Sequence, residues 1–354
     1  MWRDRKFWIG LLASLLALGW AIRGVDLGLL WGALASGQWW WLGLSLPLYL
    51  GGYWSRAARV SQLLEPVKKV PTSRVLPPLV IGFLFNNVLP LRLGEFVFAY
   101  LLGTREKVPR TAAFAVVVFS RILDGITIVA FFLVGLFAFM PVGGLDALGA
   151  PAAPGSRQDM LGKIYLAGVA GAVLFGLVSL ACVVLIARRD LALRVVDALL
   201  RYFPERVSAA GRQAVEKFIG GLGILRDPGK LFGVFLFNFV PWGLELFTYY
   251  FGAHVFGLSL TIRESALVMG MTNLAMILPS GPGGVGLFEG GGMTVMALLG
   301  IEKATAFAYI VMVHAIILLP INVWGAWYLW REGISFSDAL NAGGAEKDKK
   351  KRDS

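Results

Sequence analysis

The sequence predicts an all-α polytopic membrane protein with about six full transmembrane helices and two re-entrant helix pairs, arranged as an inverted-topology repeat. Three observations carry that expectation. Only 16% of the 354 residues are charged, 57% are hydrophobic and the mean hydropathy is +0.70; soluble domains carry about a quarter charged residues, so lipid must face much of this surface. Long apolar windows recur along the chain. Two of these windows are interrupted near their centres by proline, glycine and polar residues.

The windows run over residues 7–23, 37–54, 77–104, 111–140, 163–187, 231–257, 265–300 and 304–330. The first follows Arg3, Arg5 and Lys6 as a signal peptide would, but without a clear small-x-small cleavage site, so a retained helix is expected. Six windows read as ordinary single spans. Window 77–104 instead holds Asn86, Asn87, Pro90, Arg92, Gly94 and Glu95 near its middle. Window 265–300 is too long for one span and short for two with a loop. At its centre Leu278-Pro279-Ser280-Gly281-Pro282-Gly283-Gly284-Val285-Gly286 breaks any helix.

Charge fixes the orientation. With the N-terminus inside, 26 of the 33 Lys and Arg residues, Arg56 and Arg59 among them, fall on inside segments, and five, Arg23, Arg157, Lys163, Arg263 and Lys303, fall outside. The bias holds only if both interrupted windows return to the side they entered. They are therefore read as re-entrant pairs, dipping from opposite sides. The halves are 1–140 and 163–331, joined by an outside loop over 141–162 and followed by a basic cytoplasmic tail over 332–354. Segment 188–230 has apolar Leu193, Val196, Leu199, Leu200 and Phe203 at helical spacing among charges, which suits a cytoplasmic amphipathic element on the membrane surface. The expected location is the inner or plasma membrane with both termini cytoplasmic. Tryptophans clustered at window ends, such as Trp39, Trp40, Trp41, Trp324, Trp327 and Trp330, suit interfacial anchoring.

The net charge of +11 reflects orientation and anionic lipid; no nucleic-acid partner is expected. Cys182 is the single cysteine, which excludes an intrachain disulfide and a cysteine-based metal site. His254 and His314 read as packed polar residues. No cofactor and no catalytic set is expected: there are no paired acids on one loop and no metal constellation.

Charges inside apolar windows cost on the order of 3 kcal/mol each at mid-helix and mark functional sites. Here they are Arg92, Glu95, Arg121, Asp124, Glu245 and Glu289. Arg92 and Glu95 flank the first break, with Asn86 and Asn87 about a turn before Pro90; a guanidinium beside freed backbone N–H groups suits a phosphate. Arg121 and Asp124, three apart, share a helix face, and Asp124 is an alternative partner for Arg92. The glycine-rich second break, with Ser280, Gly283 and Gly284, offers backbone N–H groups to an anion. Glu289 sits where it would cap the following helix or carry a proton. Thr272 and Asn273 loosely mirror Asn86 and Asn87. Glu245 has no basic residue near it in sequence and reads as cavity-lining, proton-carrying or packed with a partner.

Taken in order, Asn87-x-x-Pro90-x-Arg92-x-Gly94-Glu95, Arg121-x-x-Asp124 and Leu278-Pro279-Ser280-Gly281-Pro282-Gly283-Gly284-x-Gly286-x-x-Glu289 resemble the lysylphosphatidylglycerol synthase transmembrane region family over about residues 7–331. The resemblance implies a lipid-translocating fold. In two-domain members this region moves aminoacylated phosphatidylglycerol made by a cytosolic domain. This chain ends shortly after Arg331, so lysyl-lipid synthesis is not expected. Phe98 and Ser120 stand where the family often has a basic residue and a glutamate, which suggests a different headgroup or a less charged cavity. The expectation is a non-enzymatic flippase or scramblase for an anionic or aminoacylated phospholipid, a glycolipid or a polyprenyl-phosphate lipid. A lipid- or glycan-synthesising enzyme is a possible partner. The alternatives are an ion- or proton-coupled solute transporter and a non-catalytic partner of a synthase.

Overall fold

The computed structural model describes residues 26–89, 93–137, 227–276 and 281–333, with part of 159–216. All regular structure among them is helical. Helix α1 (Leu27–Ala35) begins where the Asp26 carboxylate accepts the N–H groups of Gly28 and Leu29. A 3-10 turn at Trp39–Trp41 leads into α2 (Leu42–Leu64), and α3 (Thr72–Val88), α4 (Gly94–Glu106) and α5 (Arg110–Phe137) follow. Helix α6 (Arg189–Leu200) precedes α7 (Pro228–Val255), which is capped by Asp227 with Pro228 at its first position. Helix α8 (Ile262–Ala275) opens on a capping box between Thr261 and Glu264. A 3-10 turn at Pro282–Gly284 precedes α9 (Leu287–Leu298) and α10 (Lys303–Arg331). Glu302 caps α10, and the amides of Ala304 and Thr305 hold its carboxyl below the usual range.

The chain is an all-α membrane protein: helices Arg110–Phe137, Gly229–Val255 and Lys303–Arg331 are each long and apolar enough to cross a bilayer. The spans expected at 7–23 and 163–187 lie wholly or mostly outside the described residues, as do the 141–162 loop and the basic tail. Within the amphipathic segment, α6 buries Leu193, half-buries Val196 and Leu200 and leaves Leu199 exposed.

One span is corrected. The window read as 37–54 forms a helix only from residue 42 and continues to 64. It carries Arg56 and Arg59, assigned to an aqueous inside segment, into the buried interior at 5% and 0% exposure. The interrupted windows each form two short helices. Helices α3 and α4 have 17 and 13 residues, α8 and α9 have 14 and 12; at a rise of 1.5 Å per residue they cover about 18–26 Å, short of a bilayer core of about 30 Å.

Packing pairs the two stretches of chain in matching ways. Helices α2 and α7 share the most extensive interface and run antiparallel: Lys230 reaches Glu65 at one end, 3.0 Å, and the Gln38 N–H reaches the Val255 carbonyl at the other, 2.7 Å. Helix α5 packs on α8 as α10 packs on α3; α3 packs on α4 as α8 packs on α9; α4 packs on α5 as α9 packs on α10. Of the three apolar clusters among the described residues, a small one joins α3 and α4 to the end of α10, and the two large cores follow the same division. One draws chiefly on α2 to α5, the other chiefly on α7 to α10.

Small residues allow the long helices to approach. A Cβ at Gly135 of α5 would lie 2.6 Å from the Leu267 nitrogen of α8, and one at Gly325 of α10 would lie 2.7 Å from the Leu84 Cβ of α3. Gly135→Ala and Gly325→Ala are each expected to cost about 1–3 kcal/mol, seen as a lower unfolding temperature in detergent. Gly43→Ala, with open space around its Cβ, is expected to change nothing; equal behaviour of all three would refute this packing.

Candidate functional site

Six ionisable side chains from four helices form one continuous buried network. Asp124 of α5 is its hub. Arg59 of α2 donates to it at 2.7 Å, Trp242 of α7 donates through Nε1 at 3.0 Å, and Arg56 and Arg121 stand 3.6 and 3.3 Å away. Arg56 also donates to Glu245 of α7 at 3.0 Å and lies 4.4 Å from the Trp242 ring. Asn273 of α8 donates to the other Glu245 oxygen at 3.4 Å. At the opposite end Arg121 meets Glu95 of α4 at 3.4 Å, and Asn86 of α3 donates to the same carboxylate at 3.0 Å.

The network thus holds three guanidiniums and three carboxylates. Charges in low dielectric persist only when so paired. It links the two apolar cores, because Arg56–Glu245 and Asp124–Trp242 cross from one set of helices to the other. Its ends differ: the side chains of Arg59, Asp124, Glu245 and Arg56 are at most 8% exposed, whereas Arg121 reaches 26% and Glu95 15%. Pairing is incomplete. Among the described residues, Nε and Nη2 of the fully buried Arg59 have no hydrogen-bond partner, an uncommon state for buried donors.

The sequence-expected residues divide accordingly. Asn86, Glu95, Arg121, Asp124, Glu245 and Asn273 come together in this one cluster. Asn87 instead donates to Asn322 of α10 at 2.9 Å. Arg92 and Ser280 lie outside the described residues, and the pairing of Asp124 is with Arg59, Arg56 and Arg121. Glu245, without a basic neighbour in sequence, finds Arg56 from 189 residues away.

The second break forms a separate group. Gly283, Gly284 and Gly286 all have positive φ, the left-handed backbone that glycine alone adopts without strain. The Gly286 N–H is taken by Glu289 at 2.6 Å and the Gly284 N–H by the Gly281 carbonyl at 3.2 Å, so two of the turn's donors are satisfied internally. Glu289 also meets His314 Nδ1 at 2.6 Å, and His314 Nε2 meets the Gly283 carbonyl at 3.0 Å.

Sequence reasoning missed Arg56 and Arg59. Their acidic partners lie 65 to 189 residues away, and no local pattern reports such a pairing. His314 was read as a packed polar residue without its carboxylate. A weak signal existed for the arginines: both sit just past the end of an apolar window at i, i+3 spacing, and Arg56 lies one turn after Tyr53.

The chain's likeness to known proteins fits this architecture. A family model described as lysylphosphatidylglycerol synthase TM region matches residues 7–325. A protein named Glycosyltransferase AglD, from Haloferax volcanii, is 28% identical over 280 residues, which cover 75% of this chain and 44% of that protein. A UPF0104 membrane protein from Methanothermobacter thermautotrophicus is 24% identical over 276 residues, 75% of this chain and 77% of that one. The chain therefore spans less than half the length of the Haloferax relative. No solved structure matches.

Proposed function

The chain belongs to the lysylphosphatidylglycerol synthase transmembrane region family, and from that premise we propose that it moves the phosphate-bearing headgroup of a lipid between membrane leaflets, without making or breaking covalent bonds. The observation that carries the reading is the buried arginine-rich cluster at the junction of two apolar cores. An ion-pair network is not needed to hold an apolar bundle together, since replacing one by packed apolar groups is often neutral. Ionisable groups at membrane depth therefore favour a path for a charged group.

In this reading the phosphate exchanges for carboxylates on the guanidiniums. Arg121, the most exposed of the three, receives it first; Arg56 and the unpartnered donors of Arg59 hold it deeper. Arg92 stays in the proposal on its sequence position alone. The acyl or prenyl chains stay in lipid. The matched helix pairings and the antiparallel α2–α7 contact support two inverted halves, with α3–α4 and α8–α9 as the re-entrant pairs. Alternating exposure of the cluster by these halves would carry the headgroup across. The proposed location is the inner or plasma membrane with both termini cytoplasmic.

The lipid class is proposed as an anionic or aminoacylated phospholipid, a glycolipid or a polyprenyl phosphate. The name of the Haloferax relative, a glycosyltransferase, favours a second reading: a membrane partner of an enzyme that builds lipid-linked glycans. One experiment separates the two. Purified protein in proteoliposomes is tested for movement of fluorescent phosphatidylglycerol and of a polyprenyl phosphate. Movement above protein-free vesicles is expected; no movement of either by folded protein would leave the partner reading or a solute transporter.

A further inference from the structure

Glu289 and His314 form a buried pair that the headgroup site does not use. Both are near-fully buried, at 4% and 3%, and the His314 ring stacks on Phe288 at 4.1 Å. Each ring nitrogen faces an acceptor: Nδ1 faces Glu289 Oε1 at 2.6 Å, and Nε2 faces the Gly283 carbonyl at 3.0 Å. Glu289 Oε2 accepts from the Gly286 N–H. A neutral imidazole has one N–H, which cannot serve two acceptors. Two oxygens and two nitrogens so placed need two hydrogens: one on Nε2 and one between Nδ1 and Oε1.

We propose that the Glu289–His314 pair is a proton-binding site that fastens the second helix break to α10. With the proton bound, the turn at Gly281–Gly286 is held through its Gly283 carbonyl and its Gly286 N–H. When the proton leaves to water, a neutral imidazole and a carboxylate share a single hydrogen. Either the carboxylate or the Gly283 carbonyl then loses its bond, so one of the two ties between this turn region and α10 is lost and the turn is loosened. The pair is otherwise insulated. Of the elements packed against α10, α2 brings Tyr49, whose hydroxyl ends on the Ile317 carbonyl, and α7 brings Tyr249, whose hydroxyl ends on Thr272; the Tyr309 hydroxyl of α10 itself ends on the Tyr249 carbonyl. Arg56, Arg59 and Glu245 are bound up in the arginine cluster, and α1 offers only its cap, Asp26.

The chain has two histidines, so His254→Asn leaves His314 as the single imidazole. Nitrogen NMR of 15N-histidine-labelled protein in nanodiscs, with infrared spectra of the carboxyl region, reads the proton directly at neutral pH. The expected result is either two protonated ring nitrogens, or one together with a protonated carboxyl band that Glu289→Gln removes. One protonated nitrogen with no such band would overturn the proposal. Hydrogen exchange tests the fastening: amides of 281–289 are expected to exchange at least tenfold faster in Glu289→Gln and in His314→Gln, with 94–106 unchanged. Unchanged protection of 281–289 would overturn it as well. Neither measurement involves lipid movement, so failure here is distinct from failure of the transport reading.

Discussion

Asp124→Asn is expected to cost about 3–5 kcal/mol of folding stability, the range for breaking a buried charge pair from one side. Asp124 serves three guanidiniums and the Trp242 indole at once. When its charge is removed, Arg56 keeps Glu245 and Arg121 keeps Glu95. Arg59 keeps nothing: it is fully buried, and Asp124 supplies its ion pair among the described residues. Adding Arg59→Met is expected to recover most of the loss. It removes the stranded charge, while the amide oxygen that replaces the carboxylate at position 124 can still accept from Trp242. Unfolding in mild detergent, followed by circular dichroism, checks both variants. An Asp124→Asn protein as stable as wild type would mean that Arg59 is not buried beside it.

The second large effect is on transport. Glu245→Gln is expected to slow headgroup movement at least tenfold while leaving the protein folded. Glu245 divides its oxygens between Arg56 of α2 and Asn273 of α8, so it ties the antiparallel α2–α7 pair to a helix beside the second break. A hydrogen bond to a charged group contributes about 1.5–3 kcal/mol, and 1.4 kcal/mol is tenfold in a rate or equilibrium. Glutamine fills the space and can still accept from Arg56, but it cannot balance the guanidinium when the phosphate departs. Release should therefore slow. Glu65→Gln, which removes only the exposed contact with Lys230 at the helix ends, is the control and is expected to move lipid as wild type does. Loss of rate in both variants would point to general damage to the α2–α7 interface.

Much of the fold was legible because lipid imposes simple rules. Windows 111–140, 231–257 and 304–330 became α5, α7 and α10, since apolar runs of that length have no better option than a helix. The two interruptions were legible from Pro90 and Gly94 and from the run Gly281–Gly286, whose positive φ angles at Gly283, Gly284 and Gly286 explain why glycine stands there. Helix α2 was misplaced for a physical reason. Hydropathy treats every arginine as a wish for water, so Arg56 and Arg59 ended the window at 54 and counted toward orientation. Their charges are satisfied inside by Asp124 and Glu245, which the sequence places far away.

The site was half legible by the same logic. A charge in an apolar window is visible by itself, so Glu95, Arg121, Asp124 and Glu245 stood out. Which charge meets which is a property of the packed bundle. The pairings of Asp124 with Arg59 and of Glu289 with His314 appear only once α2 lies on α5 and α9 on α10.

The buried cluster is proposed as a headgroup site and not merely a staple between two cores. The most direct measurement is headgroup translocation by the Arg59→Met, Asp124→Asn double variant in proteoliposomes, beside wild type and with folding verified. The expected result is a folded protein that moves lipid no faster than empty vesicles while wild type moves it readily. A folded double variant that moves lipid at the wild-type rate would contradict it.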